Sequence, residues 1–323
     1  GYFIYSPYEI VTFTAFAIVL LWCRVHWNAI GPAVAAHGGI NLVVVVIPSL
    51  IFTWQYAFDE KGLADYKASN FKQEISDLTH AIELGDRSSA VYVYRGNAKF
   101  REDDLDGAIS DYGMAIVLNP KDNQAFFDRG LAKERKADFE GAIADYDEAI
   151  VLNPKYSKAY HNRGLAKLDD ENFDAAIADF SNAIELDPTN SSYYNDRGWA
   201  EFKKGDFGYS IADATRAIQL DPDFGDAFGT RGWARYAAGD ISGATEDCER
   251  STKLYKPGSA SFFFDHGLID FIAKDYTQAI DDWQKAVKQE PYSKKELQPW
   301  IEKAQGLEQD GTSTRTNNLD MPK

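Results

Sequence analysis

Between residues 59 and 291 the apolar positions fall at steps of three and four, the spacing that gathers side chains on one helix face. The stretch from Ser157 to Asn190 shows it plainly. One face carries Tyr160, Gly164, Leu165 and Leu168, and a second carries Phe173, Ala176, Ile177, Phe180, Ala183, Ile184 and Leu186. The polar residues from Asp169 to Asn172 separate the two faces, and Pro188 ends the second, because proline brings no N–H to continue a helix. This pattern predicts two antiparallel helices, A and B. Gly164 and Ala176, with almost no side chain, let their axes approach, and Phe180 is expected to fill the space toward the following pair.

The pattern then recurs. Gly62, Gly96, Gly130, Gly164, Gly198, Gly232 and Gly267 are 34 residues apart five times and 35 once. Twelve residues after the glycine stands a small residue in the last six units (Ala108, Ala142, Ala176, Ser210, Ala244, Ala279), and Pro120, Pro154, Pro188, Pro222, Pro257 and Pro291 punctuate them. A fixed period of this length predicts an all-α solenoid in which each pair buries its apolar face only by stacking on neighbours. The reading is about seven helix pairs over residues 59–291. The first is degenerate, with Glu74 and Leu78 where a small and an aromatic residue are expected. After Pro291 the period stops. Residues 292–306 predict a capping helix with Leu297, Trp300, Ile301 and Ala304 on its inner face, and residues 307–323 a flexible tail.

Ahead of the array lie two apolar runs, about residues 8–27 and 38–58. Neither Asp, Glu, Lys nor Arg occurs from Val25 to Phe58. A membrane-spanning helix needs roughly 20 apolar residues. The runs therefore predict a transmembrane helical hairpin over residues 1–58, with Trp22, Trp27, Trp54 and Tyr56 as interfacial anchors. Lys61, Lys67 and Lys72 outnumber Arg24 of the turn, which tilts the array toward the cytoplasmic side of an integral membrane protein. The alternative is a removable leader on a soluble or exported binding protein or co-chaperone, although no Lys or Arg precedes the first run.

Charge narrows the partners. Glu9 and Arg24 cancel within residues 1–58, so the whole net charge of −16 belongs to residues 59–323. Such a body repels nucleic acid and favours basic or neutral polypeptides. The two cysteines, Cys23 and Cys248, make no disulfide framework, and the five histidines show no zinc-ligand spacing. No phosphate-binding loop or catalytic constellation stands out, so neither an enzyme nor a cofactor is expected.

Beneath the packing pattern runs a charged one. The residue before each repeat glycine is basic: Lys61, Arg95, Arg129, Arg163, Arg197, Arg231 and His266. Fifteen residues after the glycine is always aspartate: Asp77, Asp111, Asp145, Asp179, Asp213, Asp247 and Asp282. Seven copies in register predict an ionic ladder within or between units, a structural device rather than a catalytic one.

The order Tyr160, Gly164, Ala176, Phe180, Ala183, Pro188, repeated as Tyr92, Gly96, Ala108, Tyr112, Ala115, Pro120 and as Phe126, Gly130, Ala142, Tyr146, Ala149, Pro154, resembles the tetratricopeptide (TPR) repeat family. The resemblance implies a right-handed TPR solenoid whose A helices line a concave groove for a partner protein. It places Tyr94, Asn97, Phe127, Asp128, His161, Asn195, Asp196, Trp199, Trp233, Phe264 and Asp265 in that groove. Trp199 and Trp233 are the expected anchors, and Asp128, Asp196 and Asp265 the acids that select basic segments. A family variant clamps a carboxylate through Lys, Asn and Arg. Here Val93, Asp128 and Asn162 fill three of its slots and only Asn97 and Lys158 match, which argues against that ligand. The function that follows is a membrane-anchored scaffold, an accessory or assembly subunit of a larger membrane complex.

Overall fold

A computed structural model of the chain describes residues 60–309. The two apolar runs, with Trp22, Trp27, Trp54 and Tyr56, lie outside the described residues, as do residues 310–323 of the tail. Among the described residues no helix is long and apolar enough to cross a membrane. They form fourteen α-helices and no strand.

The first helix, α1 (Glu60–Glu83), is continuous where the repeat pattern anticipated a pair. Glu74 and Leu78 occupy the slots whose small and aromatic side chains let A and B close on each other elsewhere, so this segment lacks the packing that rewards a fold back. Two compact units divide the chain between Asn70 and Phe71, within α1, and every helix pair belongs to the second.

Six pairs follow: α2 (Ser89–Arg101) with α3 (Leu105–Leu118), α4 (Asn123–Arg135) with α5 (Phe139–Leu152), and α6 (Ser157–Asp169) with α7 (Phe173–Leu186). Next come α8 (Ser191–Lys204) with α9 (Phe207–Leu220), α10 (Gly225–Ala237) with α11 (Ile241–Leu254), and α12 (Ala260–Ile272) with α13 (Tyr276–Gln289). A 3-10 turn at Pro291–Ser293 leads into α14 (Lys294–Gln309).

Each A-to-B turn has one recipe. The residue seven after the repeat glycine takes a left-handed conformation: Asp103, Ala137, Glu171, Gly205, Gly239 and Lys274 all have φ between 59° and 94°. The next residue caps helix B. Asp104, Asp138, Asn172, Asp240 and Asp275 each accept a hydrogen bond from the amide three residues on, satisfying a donor the helix leaves open. Asp206 makes no such cap and pairs with Lys204 instead.

The repeat glycines sit under helix B. A Cβ on Gly96, Gly130 or Gly164 would lie 2.6–2.8 Å from the ring of Tyr112, Tyr146 or Phe180. These rings therefore seat on the glycine of their own pair, not only in the gap to the next, although Phe180 also clusters with Ala200 of the following pair. Where the aromatic is replaced, as by Ala214 opposite Gly198, nothing but the edge of α9 faces the glycine.

The ionic ladder works in both directions. In five pairs the arginine makes a two-bonded fork to the aspartate of its own helix B, for example Arg163 Nε and Nη2 to Asp179 at 2.8 and 2.5 Å. Its remaining nitrogen reaches the helix before its pair: Arg95 meets Thr79 of α1, and Arg163, Arg197 and Arg231 meet Asp147, Ser181 and Thr215 of the preceding helix B. Opposite Arg129 the matching position is Gly113, which has no side chain to accept a bond. Each ladder arginine also lies over the aromatic ring three residues before it, at 5.4–5.9 Å. Asp111, Asp145, Asp179 and Asp247 are at most 3% exposed, so their charge depends on these partners.

A second cation completes the clamp, one that the Arg–Asp pattern of the sequence did not bring out. Lys99, Lys133, Lys167 and Arg235, four residues after the ladder arginine, bind the same aspartates at 2.7–2.8 Å. In the fourth pair this position is Glu201. It is buried, its Oε2 has no hydrogen-bond partner, and burial together with the nearby Asp213 pushes its carboxyl up to about 7. The native state therefore holds this proton up to about pH 7, whereas an unfolded glutamate gives it up near 4.3. Stability from this group falls as pH rises through that window. Glu201→Lys restores the clamp of the other pairs. We expect it to stabilise the protein by about 1–3 kcal/mol and to flatten the decline in melting temperature between pH 5 and pH 8. A lower melting temperature at pH 8 than the parent would contradict this.

Candidate partner-binding groove

The A helices α2, α4, α6, α8, α10 and α12 carry the residues expected to line the groove, and their exposure changes along the array. Tyr94 is 57% exposed, while Asn97, Asp128, His161, Asp196, Trp199 and Phe264 are half-buried. Many are held by neighbours. Tyr112 donates to Asn97 at 2.7 Å, Gln124 donates to Asp128 at 2.8 Å, and His161 Nε2 meets Asp196 Oδ2 at 2.6 Å. Burial pushes the Asp128 carboxyl up to about 6, with Gln124 holding it back.

Four of the expected groove residues are buried: Phe127, Asn195, Trp233 and Asp265. Phe127 is a core residue, because Tyr156, just ahead of α6, covers it at 4.9 Å and Tyr146 backs it at 5.7 Å. Trp233 is only 2% exposed and is no exposed anchor: the Trp300 ring of α14 lies over it at 5.0 Å. Asp265 is 3% exposed and accepts from Trp233 Nε1 at 2.9 Å and from the Ser251 hydroxyl. Burial lifts its carboxyl to about 7 against those two donors.

The A helices α8, α10 and α12, with the end of α6 and the start of α14, line a cavity of about 420 Å3. Trp199 and Phe264 form an aromatic wall, their rings 6.2 Å apart. Asn195, Asp196, Thr230, Asp226 and Asp265 line the same space, and Thr230 donates to Asn195 at 2.9 Å. Asp226 accepts from the Tyr255 hydroxyl. The first turn of α14 closes one side. Lys295 donates to the Asp169 carbonyl at 3.2 Å and pairs with Glu171 at 3.0 Å, while Lys203 pairs with Glu296. The capping helix thus also straps the third and fourth pairs, which residues 93 and 126 positions apart in sequence gave no sign of. An aromatic wall beside several carboxylates can hold an apolar side chain and a cationic one together.

Two family models match the chain: the tetratricopeptide repeat over residues 157–190 and the TPR repeat over residues 138–170. A search of the curated proteins gave no match. Among solved structures, the chain is similar to a tetratricopeptide repeat protein from Parabacteroides merdae. The TM-score is 0.62 at 19% identity, over 76% of this chain and 96% of the other. It is also similar to the C-terminal part of a TPR repeat-containing protein from Cytophaga hutchinsonii, with a TM-score of 0.53 at 19% identity over 73% of this chain and 97% of the other. At that identity the likeness is one of fold. Residues 138–190 match the tetratricopeptide repeat family directly, and the six helix pairs from Ser89 to Gln289 share its fold.

Proposed function

We propose that this chain is a membrane-tethered scaffold that holds a partner polypeptide against the concave side of its TPR array. The cavity beside Trp199 and Phe264 carries this reading, because it pairs an aromatic wall with Asp196 and Asp226 on a chain of net charge −16. Solenoids of stacked helix pairs offer such concave surfaces for binding. The partner that fits is a segment with an apolar side chain next to Lys or Arg.

The tether is argued from sequence: the apolar runs at residues 8–27 and 38–58 are each long enough to span a bilayer. The array then stands on the cytoplasmic side, and the protein acts as an accessory or assembly subunit of a larger membrane complex. Tethering concentrates any partner in the same membrane, so modest groove affinity suffices. Resistance to carbonate extraction is the outcome this requires; release by carbonate favours a soluble or exported co-chaperone.

A peptide library bound to the full chain tests the groove. Bound peptides should be rich in Lys or Arg beside aliphatic or aromatic residues. Trp199→Ala should weaken binding about 10-fold or more, and Asp196→Asn should reduce its salt dependence. Enrichment of acidic peptides, or unchanged binding by Trp199→Ala, would overturn the reading.

A further inference from the structure

The sixth pair keeps the ladder aspartate but has lost both of its usual cations. Where four of the other pairs have arginine and then lysine or arginine, α12 has His266 and Asp270. His266 Nδ1 lies 2.7 Å from Asp282 Oδ2 and 3.1 Å from Asp270 Oδ2, and the three ligand atoms lie within 4.8 Å of one another. The other Asp282 oxygen, Oδ1, is already engaged by Gln278 Nε2 at 3.0 Å and Lys285 Nζ at 3.1 Å. Lys285 is also held by Asp281 at 2.5 Å and sits over the Phe263 ring at 4.9 Å, where the ladder arginine sits in other pairs.

We infer that His266, Asp270 and Asp282 form a binding site for a divalent transition-metal ion of the zinc class. Asp270, Asp281 and Asp282 against Lys285 leave two negative charges on this corner of the pair when the imidazole is neutral, which a divalent cation balances. One imidazole nitrogen and two carboxylate oxygens are donors that zinc, cobalt and nickel accept, and three protein ligands leave a fourth position for water. Ligands about 2.0–2.1 Å from a tetrahedral ion stand roughly 3.3 Å apart, so the two spacings from His266 Nδ1 need open by only about 0.2 and 0.6 Å. Gln278 and Lys285 hold Oδ1 of Asp282 and leave Oδ2 aimed at the other two ligands. The Phe262 ring stacks on the imidazole at 5.2 Å and 17°, fixing its plane. Metal displaces the proton from Nδ1, to Nε2 or to water. Asp282 is 2% exposed, whereas the His266 side chain is 36% exposed, so the site opens to solvent on the histidine side.

The test uses the full chain without a histidine tag, titrated with Co2+ alone by visible absorption and with Zn2+ alone by calorimetry. We expect one equivalent bound at this site and a higher melting temperature on binding. Asp270→Asn and His266→Ala should each lower affinity about 100-fold or more. The double variant His266→Arg, Asp270→Lys rebuilds the clamp of the other pairs, so it should fold at least as well as the parent and lack that equivalent. Differences against it remove any binding by histidines elsewhere in the chain. Equal metal binding by the parent and the double variant would overturn the proposal, as would unchanged affinity in both single variants.

Discussion

Asp179→Ala is expected to destabilise the array by about 3–5 kcal/mol, the largest effect of any single ladder substitution. The carboxylate is 4% exposed and is held by Arg163 through two bonds and by Lys167 at 2.7 Å. Removing it leaves two cations packed together, 16% and 21% exposed, with no buried charge between them. Arg163→Ala is milder, because Lys167 still neutralises Asp179, so it should loosen the third pair without unfolding the chain. In a solenoid the loss is local first, since stability is close to a sum of units and their interfaces. Hydrogen exchange should therefore rise in α6 and α7 before it rises in α12. A shift below about 1 kcal/mol for Asp179→Ala would mean that the ladder behaves as an exposed surface pair.

Trp300→Ala comes next, with an expected cost of about 3–5 kcal/mol. The ring is 5% exposed and meets Trp233 at 5.0 Å, Phe271 at 5.6 Å, Tyr236 at 5.7 Å and Trp283 at 6.1 Å. It joins α14 to three different helices, so its loss should free the cap as a unit. Amide protection should fall across α14, and the groove beside Trp233 should open. Water reaching Asp265 should then bring its carboxyl down from about 7. Retained protection in α14 would show that Lys295 and Glu296 hold the helix without the tryptophan.

What the sequence made legible was what repeats. The glycines, the small residues of helix B and the Arg–Asp pairs recur at one spacing, and a recurring residue reveals its role by its slot. The second cation also recurs, four residues after four of the five ladder arginines, at Lys99, Lys133, Lys167 and Arg235, and that spacing could have revealed it. Features that occur once left no such trace. The contact of Trp300 with Trp233 and the strap from Lys295 to the third pair join distant residues with no period to announce them. The spacing likewise gave no sign that Tyr156 and Tyr146 would enclose Phe127. At α1 the period persisted in Gly62 and Asp77, but Glu74 and Leu78 removed the packing that makes a pair.

The most direct test of the scaffold is photocrosslinking in cells that make the chain, with the reactive side chain placed once at position 261 and once at position 151. Ser261 borders the cavity without being one of its aromatic anchors, and Val151 is 71% exposed on a B helix. A partner polypeptide joined from position 261, absent from position 151 and diminished when Trp199 is changed to Ala, is the expected result. The same products from both positions, or none from position 261, would contradict it.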